Sequence, residues 1–293
     1  MSTPTKKVQT PASKAVAAFQ RAVWDYYKNH GRHSLPWRKT RNPYRILVSE
    51  IMLQQTQVPR VLQKYKSFLK HFPTVEALAE AKLSSVLKEW SGLGYNRRGK
   101  YLHDAAKLIV HEYSGNFKRA TAERLPGVGP YTRAAVRTFA YNEPHTMVET
   151  NVRAAFIHHF FPTTLKPSGR RKLVYVKKDA AVHDRELVPL IEQASVGQDP
   201  REWYWALMDY GSHVKSLHVN PTRRSASYVM QTKFIGSLRQ VRGAVIRALS
   251  EGAHGDLALA HKLSFEEHMI RQALTDLKKD GLVASSKGSW RIA

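Results

Sequence analysis

One run of residues limits the architecture more than any other: 121–151, TAERLPGVGPYTRAAVRTFAYNEPHTMVETN. At its centre stands Leu125-Pro126-Gly127-Val128-Gly129. Thr121 is expected to cap a short helix through Arg124, because a side-chain oxygen satisfies free N–H groups at a helix start. Pro126 ends that helix, since proline biases the residue before it out of the α region. Gly127 and Gly129 are expected to supply positive φ at no steric cost. Pro130 suits the first turn of the next helix, where its missing N–H is not needed. The pattern predicts helix–hairpin–helix, with outward-facing amides and a helix dipole that suit a phosphate. Taken alone, LPGVG favours an ordinary αα corner, so the surrounding chain decides between the two readings.

The chain has 293 residues, room for one large or two modest domains, and 42% hydrophobic residues support a core. Lys+Arg number 47 against 23 Asp+Glu, a net charge of +24. That surplus points to a polyanionic partner, nucleic acid first. A membrane surface is the rival, but no apolar run approaches the ~18 residues that span a bilayer. The N-terminus lacks the apolar segment of a signal peptide. With no cysteine, disulfides, thiolate zinc sites and Fe–S clusters are excluded. The 14 histidines show no HExxH spacing, and His158-His159 reads as packing.

Residues 1–13 are polar, contain two prolines and read as a disordered basic tail. Helical periodicity runs over about 14–30, 43–54, 57–72, 83–91, 98–113, 152–160, 184–194 and 200–217. Thr74 is expected to cap a short helix, TVEALAEA. In the second helix, Glu50 is a carboxylate in an otherwise apolar run. It is either a solvated position or a buried acid, and burial favours the protonated form. Gln54 to Gln57 are uncharged and polar, suited to base edges or to capping. Gly92-Leu93-Gly94-Tyr95 presents an apolar and an aromatic side chain between glycines. It fits a wedge pushed into a base stack or simple inward packing. Arg97, Arg98 and Lys100 follow and favour nearby phosphate. Glu149 opens a helix, where the dipole favours a carboxylate in any case.

Residues 162–182 are irregular and basic, with a possible strand at 173–176, and read as an insertion or DNA-contacting loop. The linker 218–237 interleaves Arg223, Arg224 and Lys233 with Tyr228 and Phe234, a nucleic-acid pattern that a linker hugging the core would share. From 238 to 293 the pattern predicts three helices and a β-hairpin, a winged-helix-like domain. Ser264 is expected to cap its third helix. That helix could enter a major groove, although Glu266, Glu267 and Asp276 leave a protein contact or a structural role open.

Several collinear motifs carry a resemblance: PYRILVSEIMLQQTQV, VLKEWSGLGYNRRGKYLHDAAK, LPGVGPYTRAAV, ETNV and ALMDYG. Over its first ~217 residues the chain resembles the helix–hairpin–helix (HhH-GPD) DNA glycosylases, most closely the MutY-type adenine glycosylases. The resemblance implies a mainly α fold, residues 14–217 forming two α lobes with the flipped base in a cleft between them. It implies that Glu50 is the acid that protonates the leaving base. Glu149 falls where the family has the aspartate that stabilises the sugar cation, and Asn151 where the family orients that carboxylate. Tyr131 takes the position that holds a lysine in strand-cleaving relatives, so a monofunctional enzyme without lyase activity is expected. Trp37 and Arg38 match the base pocket. DNA contacts are expected from Gln55, Thr56, Leu93, Tyr95, Arg97, Gly127, Val128, Gly129, Thr132, Arg223 and Arg224.

Three departures qualify the resemblance. Glu149 is longer than aspartate by one methylene, roughly 1.3–1.5 Å. Without cysteine the chain is a clusterless variant, with no Fe–S cofactor and at most a monovalent cation at the hairpin. A winged-helix-like segment stands where the opposite-base reader would be. The expected partner is double-stranded DNA with a mismatch or oxidised base, with no membrane, a monomeric state and a cytoplasmic, nucleoid-associated location if prokaryotic. Two alternatives remain: a mismatch thymine or uracil glycosylase, and a DNA-binding protein on a weakened catalytic scaffold.

Overall fold

The computed structural model describes residues 13–161, 165–168, 172–175, 181–217, 219–230 and 233–293. All but the last residue of the expected basic tail falls outside them, as does most of the basic stretch 162–182. The first helix, α1 (Ser13–His30), buries Val16, Phe19, Val23 and Tyr27, the three- and four-residue spacing of one helix face. In α2 (Pro43–Leu53), Asn42 caps the start by accepting from the Arg45 amide at 3.1 Å. Its residues from Tyr44 to Met52 are buried except Arg45, as a helix apolar on all sides must be. After α3 (Val58–His71), Thr74 caps α4 (Val75–Glu80), accepting from the Ala77 amide at 3.2 Å as expected. Next come α5 (Leu83–Trp90) and α6 (Arg97–His111). Gly99 makes their packing possible, since a Cβ there would lie 2.8 Å from the Trp90 ring.

The hairpin region corrects one expectation. Thr121 does not open a helix. It closes α7 (Phe117–Ala120), donating its hydroxyl to the Phe117 carbonyl at 2.7 Å. α8 (Pro130–Tyr141) then begins at Pro130 as predicted. Beyond α9 (Thr150–Phe160), β1 (Leu165–Ser168) and β2 (Lys172–Tyr175) pair antiparallel, Leu165 opposite Tyr175. α10 (Asp184–Ser195) and α11 (Pro200–Leu217) follow. A 3-10 turn at Pro221–Arg224 and a parallel bridge between Val182 and Ser225 order the start of the linker.

The last segment contains α12 (Leu238–Leu249), α13 (Asp256–Leu263), α14 (Glu267–Lys279) and a hairpin of β3 (Val283–Ser286) and β4 (Ser289–Ile292). These are the three helices and wing that were expected. Ser264 is a second correction: it is the left-handed C-cap of α13, φ 53°, and makes no cap hydrogen bond to α14.

The chain forms two compact units. One comprises Met1–Lys39 with Arg137–Met230, the other Thr40–Val136 with Gln231–Ala293. In the first, Phe19 packs against Phe156 at 4.7 Å between ring centroids and edge-on against Trp203 at 6.2 Å. In the second, Leu87 of α5 belongs to the same buried cluster as Val245, Ile270, Leu274 and Leu277. The winged-helix-like segment thus shares its core with α5.

Candidate active site and DNA-facing loops

Glu50 lies on the buried face of α2 and is 7% exposed, between Ser49 and Ile51, which are both at 1%. Tyr131, in the first turn of α8, donates its hydroxyl to Glu50 Oε2 at 3.3 Å. The LPGVG turn sets that position. Gly127 has φ 69°, and a Cβ there would meet the Tyr101 side chain at 2.7 Å, so glycine is required twice over. Gly129 differs from expectation. Its φ is not positive, and a Cβ there would meet only open space. Val128 donates back to the Leu125 carbonyl at 3.2 Å, and among the described residues no backbone carbonyl accepts from the Gly127 or Gly129 amide. Val128 and Thr132 are 5% and 3% exposed, so their side chains are not available to DNA. The Thr132 hydroxyl accepts from Gln54 Nε2 at 3.2 Å, which ties the α2 end to the α8 start.

Two loops of this unit hold non-glycine residues in the left-handed region, Gln55 at φ 55° and Tyr95 at φ 47°. Such conformations cost of order 1–3 kcal/mol and persist where surrounding contacts enforce them. Arg98 supplies the enforcement. Its guanidinium donates to the carbonyls of Ile51 (2.9 Å), Met52 (3.2 Å) and Gln54 where α2 ends. On the Tyr95 loop it reaches Leu93 (3.1 Å) and Gly94 (3.2 Å), and also the Thr56 hydroxyl at 3.0 Å. Burial lowers its pKa to about 10. The expectation that Arg98 meets phosphate is therefore corrected, because both of its terminal nitrogens donate inside the protein. Arg97 pairs with Asp280 at 3.1 Å, and Lys100 with Asp104 at 2.6 Å. Leu93 packs inward at 3% exposure, whereas Tyr95 is 37% exposed and Gln55 is exposed. Tyr95 and Gln55 are the pair presented outward.

In the other unit, Glu149 is the N-cap of α9. Its Oε1 accepts from the amides of Asn151 (2.7 Å) and Val152 (2.9 Å), and its Oε2 from Asn151 Nδ2 at 3.1 Å. Burial pushes its carboxyl above the usual range, while those amides and the Lys215 charge pull it back. Asn151 is held by a residue that local pattern does not reveal. At Gly211 of α11 a Cβ would lie 1.9 Å from the Asn151 carbonyl oxygen, so only glycine lets α11 close on the start of α9. Lys215 follows one helical turn later, its pKa lowered by burial with the Glu149 charge opposing.

Trp37 and Arg38 are buried at 6% and 7%. Both Arg38 terminal nitrogens bond Asp209, at 2.7 and 2.8 Å, and Arg32 Nε adds a third contact at 2.6 Å. Burial opposes the Asp209 charge, but the two guanidinium groups hold its carboxyl below the usual range. Arg38 is thus a structural ion-pair residue, a correction to its assignment to the base pocket. Arg224 turns inward to the Phe161 carbonyl, leaving Arg223 exposed.

A family description, HhH-GPD superfamily base excision DNA repair protein, matches residues 48–177. An adenine DNA glycosylase of Mycolicibacterium smegmatis is 34% identical over 232 residues, 76% of this chain and 78% of that protein. One from Buchnera aphidicola subsp. Baizongia pistaciae is 37% identical over 144 residues, 48% of this chain and 41% of that protein. The match therefore spans less than half the length of that curated relative. Among solved structures, a thermostable thymine-DNA glycosylase aligns with TM-score 0.57 and 26% identity, covering 73% of this chain and 93% of that one. A non-covalent endonuclease III–DNA complex aligns with TM-score 0.50 and 13% identity over 75% of this chain and 90% of that one, a likeness of fold.

Proposed function

This chain belongs to the HhH-GPD superfamily of base excision DNA repair proteins, and from that premise we propose that it is a monofunctional DNA N-glycosylase. It flips adenine from duplex DNA, where adenine faces 8-oxoguanine or guanine, and hydrolyses the N-glycosidic bond. The observation that carries this reading is Glu50, a carboxyl in an apolar wall with the Tyr131 hydroxyl at 3.3 Å. Such an acid can deliver a proton to a departing base, and general acids of this kind supply about 10²–10⁴-fold in rate. As the bond from base to sugar breaks, its electron pair leaves with the protonated base and the sugar becomes an oxocarbenium ion. Glu149, in its ionised form, stabilises that cation, and Asn151 fixes the carboxylate through Nδ2. Water then adds to the sugar and loses a proton, leaving an abasic site.

Tyr131 offers a hydroxyl where a lyase needs an amine, so no Schiff base forms at that position. The outward LPGVG amides and the open side of Gly129 suit a phosphate brought close to the backbone. With no cysteine in the chain, the donors of an Fe–S cluster do not exist. A monovalent cation at the hairpin would need outward carbonyls. The Leu125 carbonyl already accepts the Val128 amide, and no step above uses such an ion. We propose further that the protein acts as a monomer and, if prokaryotic, in the cytoplasm on the nucleoid. No helix among the described residues is long and apolar enough to cross a membrane.

The test is excision from duplexes carrying A opposite 8-oxoguanine, A·G, T·G and U·G, with alkali to reveal abasic sites. Product on the adenine duplexes is expected. The likeness to a thymine-DNA glycosylase motivates the T·G arm, and product there alone would replace adenine by thymine as the substrate. No product on any duplex would end the glycosylase reading. Strand breaks before alkali, trapped by borohydride, would refute the absence of lyase activity.

A further inference from the structure

Lys215 is a half-buried cation with no hydrogen bond and no ion pair among the described residues. It stands one helical turn beyond Gly211, on the same face of α11. That face closes on the start of α9, where a Cβ at Gly211 would lie 1.9 Å from the Asn151 carbonyl oxygen. An ammonium has three donors, and burying it unpaired is costly. Two charges act on it from nearby: Glu149 attracts it and Arg32 repels it. Glu149 does not complete it, because that carboxylate accepts from the Asn151 and Val152 amides and from Asn151 Nδ2 instead.

Arg32 presents the second cation. Its Nε and its amide hold Asp209 at 2.6 and 2.7 Å. Its side chain is 36% exposed, and among the described residues its terminal nitrogens donate no hydrogen bond. Asp209 is not left over for Lys215, since Arg38 already donates to both of its oxygens. Three cations, Arg32, Arg38 and Lys215, thus stand against two carboxylates, and positive charge remains even with Glu149 ionised.

We propose that Arg32 and Lys215 form a phosphate subsite, which holds a phosphodiester flanking the flipped nucleotide. The proposal rests on the glycosylase reading above. Glu149 stands at the sugar in that reading, and the anion next to a sugar in a DNA strand is its own 5′ or 3′ phosphate. A guanidinium fork and an ammonium both suit phosphate oxygens. Arg32, Asp209, Glu149 and Lys215 belong to one unit, whereas the LPGVG amides belong to the other, so the subsite is a second anchor on the strand. A phosphate there relieves the repulsion between the two cations and supplies the partner that the Lys215 ammonium lacks.

The test uses the full chain and a duplex with a non-cleavable abasic analogue, so the readout needs no excision. The flanking phosphates, 5′ and 3′ in turn, are replaced by a neutral methylphosphonate, and Kd is compared with that of the unmodified duplex. For wild type, neutralising one of the two should weaken binding about tenfold, the scale of one charge-assisted hydrogen bond. Lys215→Met should bind the unmodified duplex about tenfold more weakly and lower the salt slope of binding by about one. It should lose nothing further on that same methylphosphonate. Lys215→Arg, which keeps the charge, should regain most of the loss. The thermal midpoint of Lys215→Met should hold or rise, because no hydrogen bond is removed with the ammonium. A lysine with a structural role alone would leave Lys215→Met with the wild-type methylphosphonate penalty, and that result overturns the proposal. Wild type indifferent to both phosphates overturns it too. Adenine excision by wild type alongside either outcome would leave the glycosylase reading standing and remove only the subsite. Absence of duplex binding by wild type would end both.

Discussion

Glu50, buried in the second half of α2, and Glu149, the N-cap of α9, are carboxyls whose surroundings are opposite in kind. Glu50 sits on an apolar helix face, where the Tyr131 hydroxyl donates to its Oε2 at 3.3 Å. Glu149 receives two backbone amides and the Asn151 amide side chain. Donors stabilise the charged form and an apolar wall favours the neutral one. We propose that this difference divides the roles, with Glu50 the proton donor and Glu149, held by its donors against the burial that raises its carboxyl, the negative charge once ionised. Pairs of carboxyls with divergent environments are how one fold runs both chemistries near neutral pH.

The largest expected effect breaks the Glu50 half. Glu50→Gln should slow single-turnover adenine excision by about 10²–10⁴-fold, the loss of a general acid, with DNA affinity retained in a gel-shift titration. An undiminished rate would strip Glu50 of its role. Next comes Glu149→Gln, which keeps an oxygen for the cap but not the charge. Excision should fall about 10²–10³-fold, as when a fixed electrostatic stabiliser is removed, while the thermal midpoint changes little. A large drop in midpoint with near-normal rate would make Glu149 a cap and nothing more.

Gly211→Ala sharpens the comparison from the structural side. Its new Cβ would stand 1.9 Å from the Asn151 carbonyl. The overpacking should cost about 1–3 kcal/mol in a denaturation curve and slow excision by displacing Asn151. The smallest effect is Lys215→Met. The Lys215 ammonium pulls the Glu149 carboxyl down, so removing it lets the carboxyl rise further. Less Glu149 is then ionised at a given acidic pH, and the acid limb of the rate profile should move to higher pH. A shift to lower pH would contradict the sign.

Helices were legible in the sequence because their apolar stripes are local. Pro130 opening α8, Thr74 capping α4 and the three-helix segment after 237 all follow from nearby residues. Caps were less legible, since one hydroxyl can serve either end of a helix. Thr121 reaches back to Phe117 and Ser264 closes α13, each opposite to expectation. The arginines misled for a different reason. Arg98 read as phosphate-facing charge and Arg38 as part of the base pocket, but their partners are backbone carbonyls up to 47 residues away and Asp209, 171 residues away. Gly211 was missed likewise. Its neighbour Asn151 lies far back in the chain, and only the packing of α11 on α9 reveals why glycine stands there.

The division of labour between the two carboxyls is tested most directly by a base that needs no proton. A duplex carrying an adenine alkylated on a ring nitrogen presents a cationic leaving group, and excision is measured above its spontaneous loss. Glu50→Gln should regain most of the wild-type rate on this substrate, while Glu149→Gln stays slow. Equal deficits in both variants, or rescue of Glu149→Gln instead, would contradict the assignment of proton donor to Glu50 and fixed charge to Glu149.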